Sequence, residues 1–400
     1  MERKRNHHDV VVVGSRCAGA ATAMLLARAG HDVALVDRAT FPSDTLSTHA
    51  IARGGMVQLA RWGLLDEIVR SGAPEVRTVT FHLGDGEVLA KDVKARAGIE
   101  FLLAPRRYVL DTILVHAALE AGATLYDGVT VAGVRRGSTG RVHGVAGHRS
   151  DGSPVALDGT VVVGADGLRS RVARSVGAPI IDQRPADGST HYVYAAGLDG
   201  EGFEFHIGER SFAGVFPTHG GESNVWVCLP AEDARFEGDR TSAFLDLLDR
   251  TSPSLGRRLR RSQVTARVRS AVRFPNHIRQ ATGCGWALVG DAGYHRDPIT
   301  GHGITDALRD AELLSREIDA LLRGDCDENA AMERYAHARL RAIESIFDVT
   351  CRLAEYPDRS TFVDLQKQLS ALIEAEAQWL AALPLPSGSA ASGSVRLVAA

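Results

Sequence analysis

The sequence predicts an α/β fold, in which a Rossmann-like nucleotide-binding domain is interleaved with a mainly antiparallel β-sheet substrate domain and followed by C-terminal helices. Three observations predict it. Residues 9–38 read as strand, glycine turn, helix and strand; apolar strands recur at residues 161–164 and 285–289, each entering a Gly/Asp turn; and residues 190–230 alternate apolar and polar side chains with no helical period. A chain of 400 residues exceeds one average domain, and 44% hydrophobic with 24% charged content is ordinary for a globular protein. A formal charge of -3 spread along the chain offers no field for a polyanion, so no nucleic-acid partner is expected.

MERKRNHH leads directly into the first strand and not into an apolar signal stretch, and no apolar run has transmembrane length. The expectation is a cytoplasmic monomer or homodimer. Cys17, Cys228, Cys284, Cys326 and Cys351 lie far apart with no C-x-x-C pair, which argues against a disulfide framework or a zinc knuckle. The 15 histidines show no H-E-x-x-H or H-x-H spacing, and no metal is expected.

The opening unit carries the first functional signal. Val10 to Val13 enter Gly14, a helix rich in small residues ends at Gly30, and Val33 to Val36 stop at Asp37. A helix N-terminus presents free backbone N–H groups and a positive dipole end to a pyrophosphate, and an acid about twenty residues on accepts bonds from a ribose. The fingerprint departs from G-x-G-x-x-G: it reads Gly14-Ser15-Arg16-Cys17-Ala18-Gly19, with arginine at the middle glycine. Cys17 reads as a small residue that fits the bend.

A helical pattern broken at Gly63 spans Thr48 to Ser71, then TVTFHLGDGEVLA reads as a hairpin across Gly84-Asp85-Gly86. Tyr108 to Ala121 is helical, and the segments that follow read as short antiparallel strands. HYVYAAGL, FEFHI, SFAGVFP and SNVWVCLP make a sheet without intervening helices. A helical piece near Ala243 to Leu248 precedes the strand GWALVGD, and a strongly periodic helix then carries Ile304, Leu308, Leu314 and Leu321 on one face. Residues 1–75, 100–180 and 275–345 are assigned to the nucleotide-binding domain. Residues 76–99 and 181–274 form the sheet domain, 346–385 the C-terminal helices and 386–400 a flexible tail.

Two later turns extend the first signal. In VVVGADGLRSR, Asp166 and Gly167 follow the strand; the alternative reading is an Asp cap on the next helix. In GWALVGDAGYHRDPITGHGITDAL, Asp291 after Gly290 leaves its strand as an acceptor suited to a ribityl chain. Pro298 stiffens a turn there, and Gly301 and Gly303 leave room for a flat ring at the start of the long helix. A helix N-terminus stabilises the negative charge that reduction puts on an isoalloxazine.

With these motifs in this order, the chain resembles the FAD-dependent oxidoreductases of the group A flavoprotein monooxygenase (aromatic hydroxylase-like) and geranylgeranyl reductase-like superfamily, to about Tyr335. The resemblance implies FAD as cofactor, with Gly14, Arg16, Cys17, Ala18, Gly19, Asp37 and Arg38 at its ADP end and Val129 beside it. Arg107, in an R-x-x-x-D-x-x-L context with Asp111 and Leu114, contacts phosphate or ribityl groups. Asp166, Gly167, Gly290, Asp291, Pro298, Gly301, His302, Gly303 and Ile304 complete the site. Tyr294 and Thr305 stand where many hydroxylases carry His and Asn, and the W-x-W-x-I halogenase signature is absent, so halogenation is not expected. Arg16 is expected near phosphate or flavin.

The reaction the resemblance implies is an NAD(P)H-driven hydroxylation of a small aromatic or polyketide-like substrate by O2, through a flavin C4a-hydroperoxide. The alternative is reduction of a carbon-carbon double bond, and a second is a non-catalytic flavin sensor. His49, His295 and His302 are candidate proton-handling residues. Phe205, Phe216, Pro217 and Trp226, on the sheet that roofs the pocket, are candidate substrate contacts, with strand alternation limiting how many face the ligand.

Overall fold

A computed structural model describes residues 7–84, 86–236 and 238–388. Strand His7–Val13 pairs in parallel with Val33–Val36 on one side and Pro154–Gly164 on the other. The parallel ladder continues to Thr124–Tyr126 and to Trp286–Leu288, and Thr282–Gly283 closes one edge antiparallel. Val10, Val11 and Val12 are completely buried, as expected of a parallel strand covered on both faces. One face carries helices Cys17–Arg28, Arg53–Arg61, Arg107–Glu120 and Gly303–Arg323. The other packs against the hairpin Val129–Arg136 and Val142–Arg149, which continues antiparallel from Pro154–Gly164.

The first strand lies between its successors, so the sheet reverses direction of growth at Val13. Ligands of open α/β sheets bind at such a switch point. Backbone approach there is very close. Gly14 has φ +101°, and a Cβ on it would lie 2.4 Å from the Ala165 carbonyl oxygen; on Gly19 it would lie 1.7 Å from that of Gly14. Both glycines are therefore demanded by the chain itself.

The second sheet runs in the order Gln263–Val264, Gly188–Ala196, Glu222–Pro230, Phe212–Pro217, Phe203–Ile207, Thr78–His82 and Val88–Asp92. The early hairpin joins it by parallel pairing of Thr78–His82 with Phe203–Ile207. Helices Arg240–Thr251 and Pro253–Arg261 cover one face, while Glu328–Leu353 and Arg359–Ala382 cover the other. A small third sheet of Ile180–Arg184, Asn276–Arg279 and Tyr294–His295 stitches the two larger ones together.

Two elements differ from the sequence reading. The Thr48–Ser71 helix is two, Arg53–Arg61 and Leu65–Arg70, parted at Gly63 with φ +74°. Helix Pro253–Arg261 is additional: Ser252 caps it and Pro253 opens it, but its run of arginines hides the short apolar stripe of Leu255 and Leu259. Of the expected tail, residues 389–400 lie outside the described residues.

Gly19→Ala is expected to lower stability by about 3 kcal/mol, the upper end of overpacking costs, because the clash is with backbone. Gly303→Ala, whose Cβ meets nothing within 4 Å, leaves the melting temperature of the cofactor-free protein unchanged. Thermal denaturation of the two variants checks the contrast.

Candidate cofactor and active site

A cavity of about 700 Å³ opens at the switch point, within the size range of small-molecule sites. It runs from Asp37 and Arg38 along Gly14, Arg16 and Ala18, passes Val129, Arg107, Asp166 and Asp291, and ends among Pro298, Gly301, His302, Gly303 and Ile304. Helix Cys17–Arg28 begins at this wall with no side-chain cap and no acid in its first turn. Its leading N–H groups and dipole are left for an anion.

The three strand-end acids differ in what they already hold. Asp37 accepts the N–H of Ser15 at 2.6 Å and of Ala39 at 2.8 Å. Asp166 accepts the Ser170 hydroxyl at 2.5 Å and the N–H groups of Arg171 and Val172 at 2.5 and 3.1 Å. It caps the next helix, the alternative weighed for it, while still lining the cavity; burial raises its carboxyl above the ordinary value, against those hydrogen bonds. Asp291 has no hydrogen bond within the protein among the described residues and is open to the cavity. The protein enclosing it elsewhere raises its carboxyl.

Arg16 lines the cavity while its guanidinium is tied to the protein. Its guanidinium turns to Asp111 at 2.7 Å, to the carbonyl and hydroxyl of Ser43 and to the Asp44 carbonyl, four acceptors in all. Asp111 is fully buried and also binds Arg107 at 2.9 Å and the Cys17 thiol at 3.2 Å. Burial pushes the Cys17 thiol up, so it stays protonated and inert. Burial opposes the Arg107 charge, but Asp111 outweighs it and holds the guanidinium above its ordinary value.

At the far end Pro298–Thr300 forms a single turn and Gly301 follows with φ +61°. A Cβ at Gly167, Gly301 or Gly303 would meet no atom within 4 Å, so these positions keep the cavity wall open. His302 stands at the start of helix Gly303–Arg323, with Nε2 2.6 Å from Glu376. His295 is held by the Pro275 carbonyl at 2.6 Å. An extended flavin dinucleotide fits these residues: free N–H groups for its pyrophosphate, an unengaged carboxylate at mid-length, and an open glycine bed beneath a helix N-terminus.

His49, buried with φ +71°, hydrogen-bonds through Nε2 to the Tyr194 hydroxyl, leaving Nδ1 unpartnered. The Arg106 guanidinium lies 3.7 Å above the Tyr194 ring. Sequence reasoning found His49 but missed Tyr194, which reads as one of several alternating strand aromatics. Burial raises the Tyr194 phenol and, with nearby arginines, lowers His49, so both groups are neutral.

The candidate substrate contacts need correction. Phe205, Phe216 and Trp226 pack on one another and on Phe212, which in turn meets Phe362 of the C-terminal helix, and neither they nor Pro217 line the cavity. Large rings on one sheet face closed over by a helix fill their own space. His49, Thr190, Tyr192 and Phe274 do line the cavity.

Two clusters bring histidine and acids together, His82, Glu204 and His206, and His302, Asp306 and Glu376. In the first, Arg258 takes both Glu204 oxygens at 2.6 and 2.8 Å, and the imidazoles stack in parallel, which does not converge their lone pairs. In the second, Arg296 and Arg309 occupy the carboxylates. Neither offers an open set of cation ligands.

The chain is 25% identical over 389 residues to a digeranylgeranylglycerophospholipid reductase of Methanoculleus marisnigri, covering 94% of this chain and 91% of that protein. It is 30% identical over 332 residues to a menaquinone reductase of Mycobacterium tuberculosis, covering 78% and 76%. Its fold is similar to that of PqsL, a probable FAD-dependent monooxygenase from Pseudomonas aeruginosa, with TM-score 0.76 and 23% identity over 90% of this chain and 100% of that one. The myxobacterial chondrochloren halogenase CndH shares the fold with TM-score 0.81 and 20% identity, covering 96% and 99%. With its switch-point cavity and residues 7–350 matching the family as a whole, the chain belongs to the FAD binding domain family and is an FAD-dependent oxidoreductase.

Proposed function

We propose that this chain is an NAD(P)H-driven FAD monooxygenase of the cytoplasm that hydroxylates a compact aromatic or polyketide-like substrate. The observation that carries the cofactor placement is Asp291: its carboxylate is open to the cavity and has no hydrogen bond within the protein among the described residues, so a ribityl hydroxyl could donate to it. Bound FAD would supply electron transfer from NAD(P)H and activation of O2. The chain's own residues do the rest. Arg107 and the first helix fix the phosphates, and the glycine bed with helix Gly303–Arg323 favours charge on the reduced ring. The aromatic packing of Phe205, Phe216 and Trp226 keeps the substrate off that layer and on the wall that includes His49, Thr190, Tyr192 and Phe274, which favours a compact substrate.

Reduction of a carbon-carbon double bond is the second reading. The named reductases among the relatives favour it, and so does the Tyr194–His49 pair. His49 lines the cavity as a neutral imidazole whose Nε2 is fixed by the Tyr194 hydroxyl behind it, which makes this ring the group at the wall that could handle a proton.

Asp291→Ala is expected to weaken FAD binding by about 2 kcal/mol, roughly thirtyfold, the worth of hydrogen bonds to a charged group; titration of the apoprotein with FAD measures it, and unchanged affinity contradicts the placement. Substrate-stimulated consumption of NAD(P)H and O2 in equal amounts is expected of the hydroxylase. Turnover that proceeds equally well without O2 replaces it with the reductase. In that event His49→Gln lowers kcat by about a hundredfold, as for loss of a proton-handling group, with KM little changed.

A further inference from the structure

Asp297, at the turn before Pro298, has one carboxyl oxygen that the fold does not use. The residue is 3% exposed and lines the cavity. Its Oδ1 accepts the Ile299 N–H at 2.9 Å and so caps the single turn Pro298–Thr300, while its own N–H donates to the Asn276 side chain at 2.6 Å. Oδ2 has no hydrogen bond among the described residues and, unlike the Tyr356 hydroxyl close by, is not sealed from the cavity. The neighbouring cations are taken: Arg296 binds Asp306 at 2.6 Å and Thr350 at 2.9 Å, and the Pro275 carbonyl holds His295. The sheet admits this carboxylate through Gly188, where a Cβ would collide with Oδ2. Further along the same strand, Thr190 and Tyr192 line the cavity.

Resting on the flavin placement above, we infer that Asp297 is a specificity-determining residue: its Oδ2 accepts a hydrogen bond from a hydroxyl of the substrate, so the site selects a phenol or enol over a ring of the same size without one. The argument is geometric. Pro298, next in the chain, belongs to the flavin bed, and the strand of Thr190 and Tyr192 is the sheet wall, so Oδ2 lies where bed and wall meet. A carboxylate this enclosed needs a donor for each oxygen, and the protein supplies one for Oδ1 alone. Capping does not by itself call for aspartate, because asparagine and serine cap as well. Burial pushes the carboxyl up to about 6, against the Ile299 N–H and His295, so at neutral pH the group is chiefly an anion and its bond to a hydroxyl is charge-assisted. The anchor concerns binding, and it stands whether the substrate is then hydroxylated or reduced.

The test uses the FAD-loaded protein and two probes of similar size, phenol and toluene, each titrated against the absorption spectrum of the bound flavin. Asp297→Asn keeps the cap through its amide oxygen and puts a donor in place of Oδ2. It is expected to weaken phenol about tenfold, as for loss of a hydrogen bond to a charged group, and to leave the affinities for toluene and FAD unchanged. Asp297→Ser, which caps through its hydroxyl, gives the same result and serves if the asparagine variant fails to fold. Equal losses for phenol and toluene, no loss for phenol, or a flavin spectrum that phenol does not perturb in the unaltered protein overturns the inference and leaves the flavin placement standing. Failure of the unaltered protein to bind FAD overturns both.

Discussion

One buried carboxylate holds the cofactor end of this protein together. Asp111 gathers Arg16 from the nucleotide turn, Arg107 from the head of its own helix and the thiol of Cys17, with no solvent exposure. Arg16 carries the tie outward to Ser43 and Asp44 in the loop after the second strand. Removing one partner from such a knot costs about 3–5 kcal/mol because the remaining charge is stranded. The substitution of arginine for the middle fingerprint glycine is therefore a structural gain: the turn exchanges backbone freedom for an anchor, and the phosphate-facing N–H groups of the helix are left clear.

From this anchor the site divides its labour along the cavity. Asp37 and Asp166 spend much of their capacity on backbone N–H groups, shaping the turns around them. Asp291 spends none on the protein, so ligand recognition concentrates there. The helix that starts just beyond it, Gly303–Arg323, has no side-chain cap at its own N-terminus. An uncapped helix end and an unpaired carboxylate both face the cavity, and one extended ligand with hydroxyls at one point and an electron-rich ring at the next would give each of them a partner.

The fold was legible in the sequence wherever local pattern decides it. Buried apolar runs ending in Gly or Asp marked four parallel strands, and the alternation over 190–230 marked the second sheet. What escaped depends on distant contacts. The parallel pairing of Thr78–His82 with Phe203–Ile207 bridges more than a hundred residues. Which aromatic side chains face a ligand was not legible either, because strand alternation halves the candidates but a helix 150 residues later decides which half is sealed. Glu376 carried no signal at all: an acid in an amphipathic helix looks solvent-facing until the helix docks.

That docking bears on which reaction the site can run. Phe212 meets Phe362 with ring centroids 5.2 Å apart, and Phe205, Phe216 and Trp226 close behind it. Any group placed against this layer would displace several large buried rings, each worth several kcal/mol of packing, so the sealed face of the sheet stays outside the cavity. His49 lines the cavity with the Tyr194 hydroxyl hydrogen-bonded behind it, and its φ of +71° puts backbone strain at the cavity wall, where such strain is often kept for function.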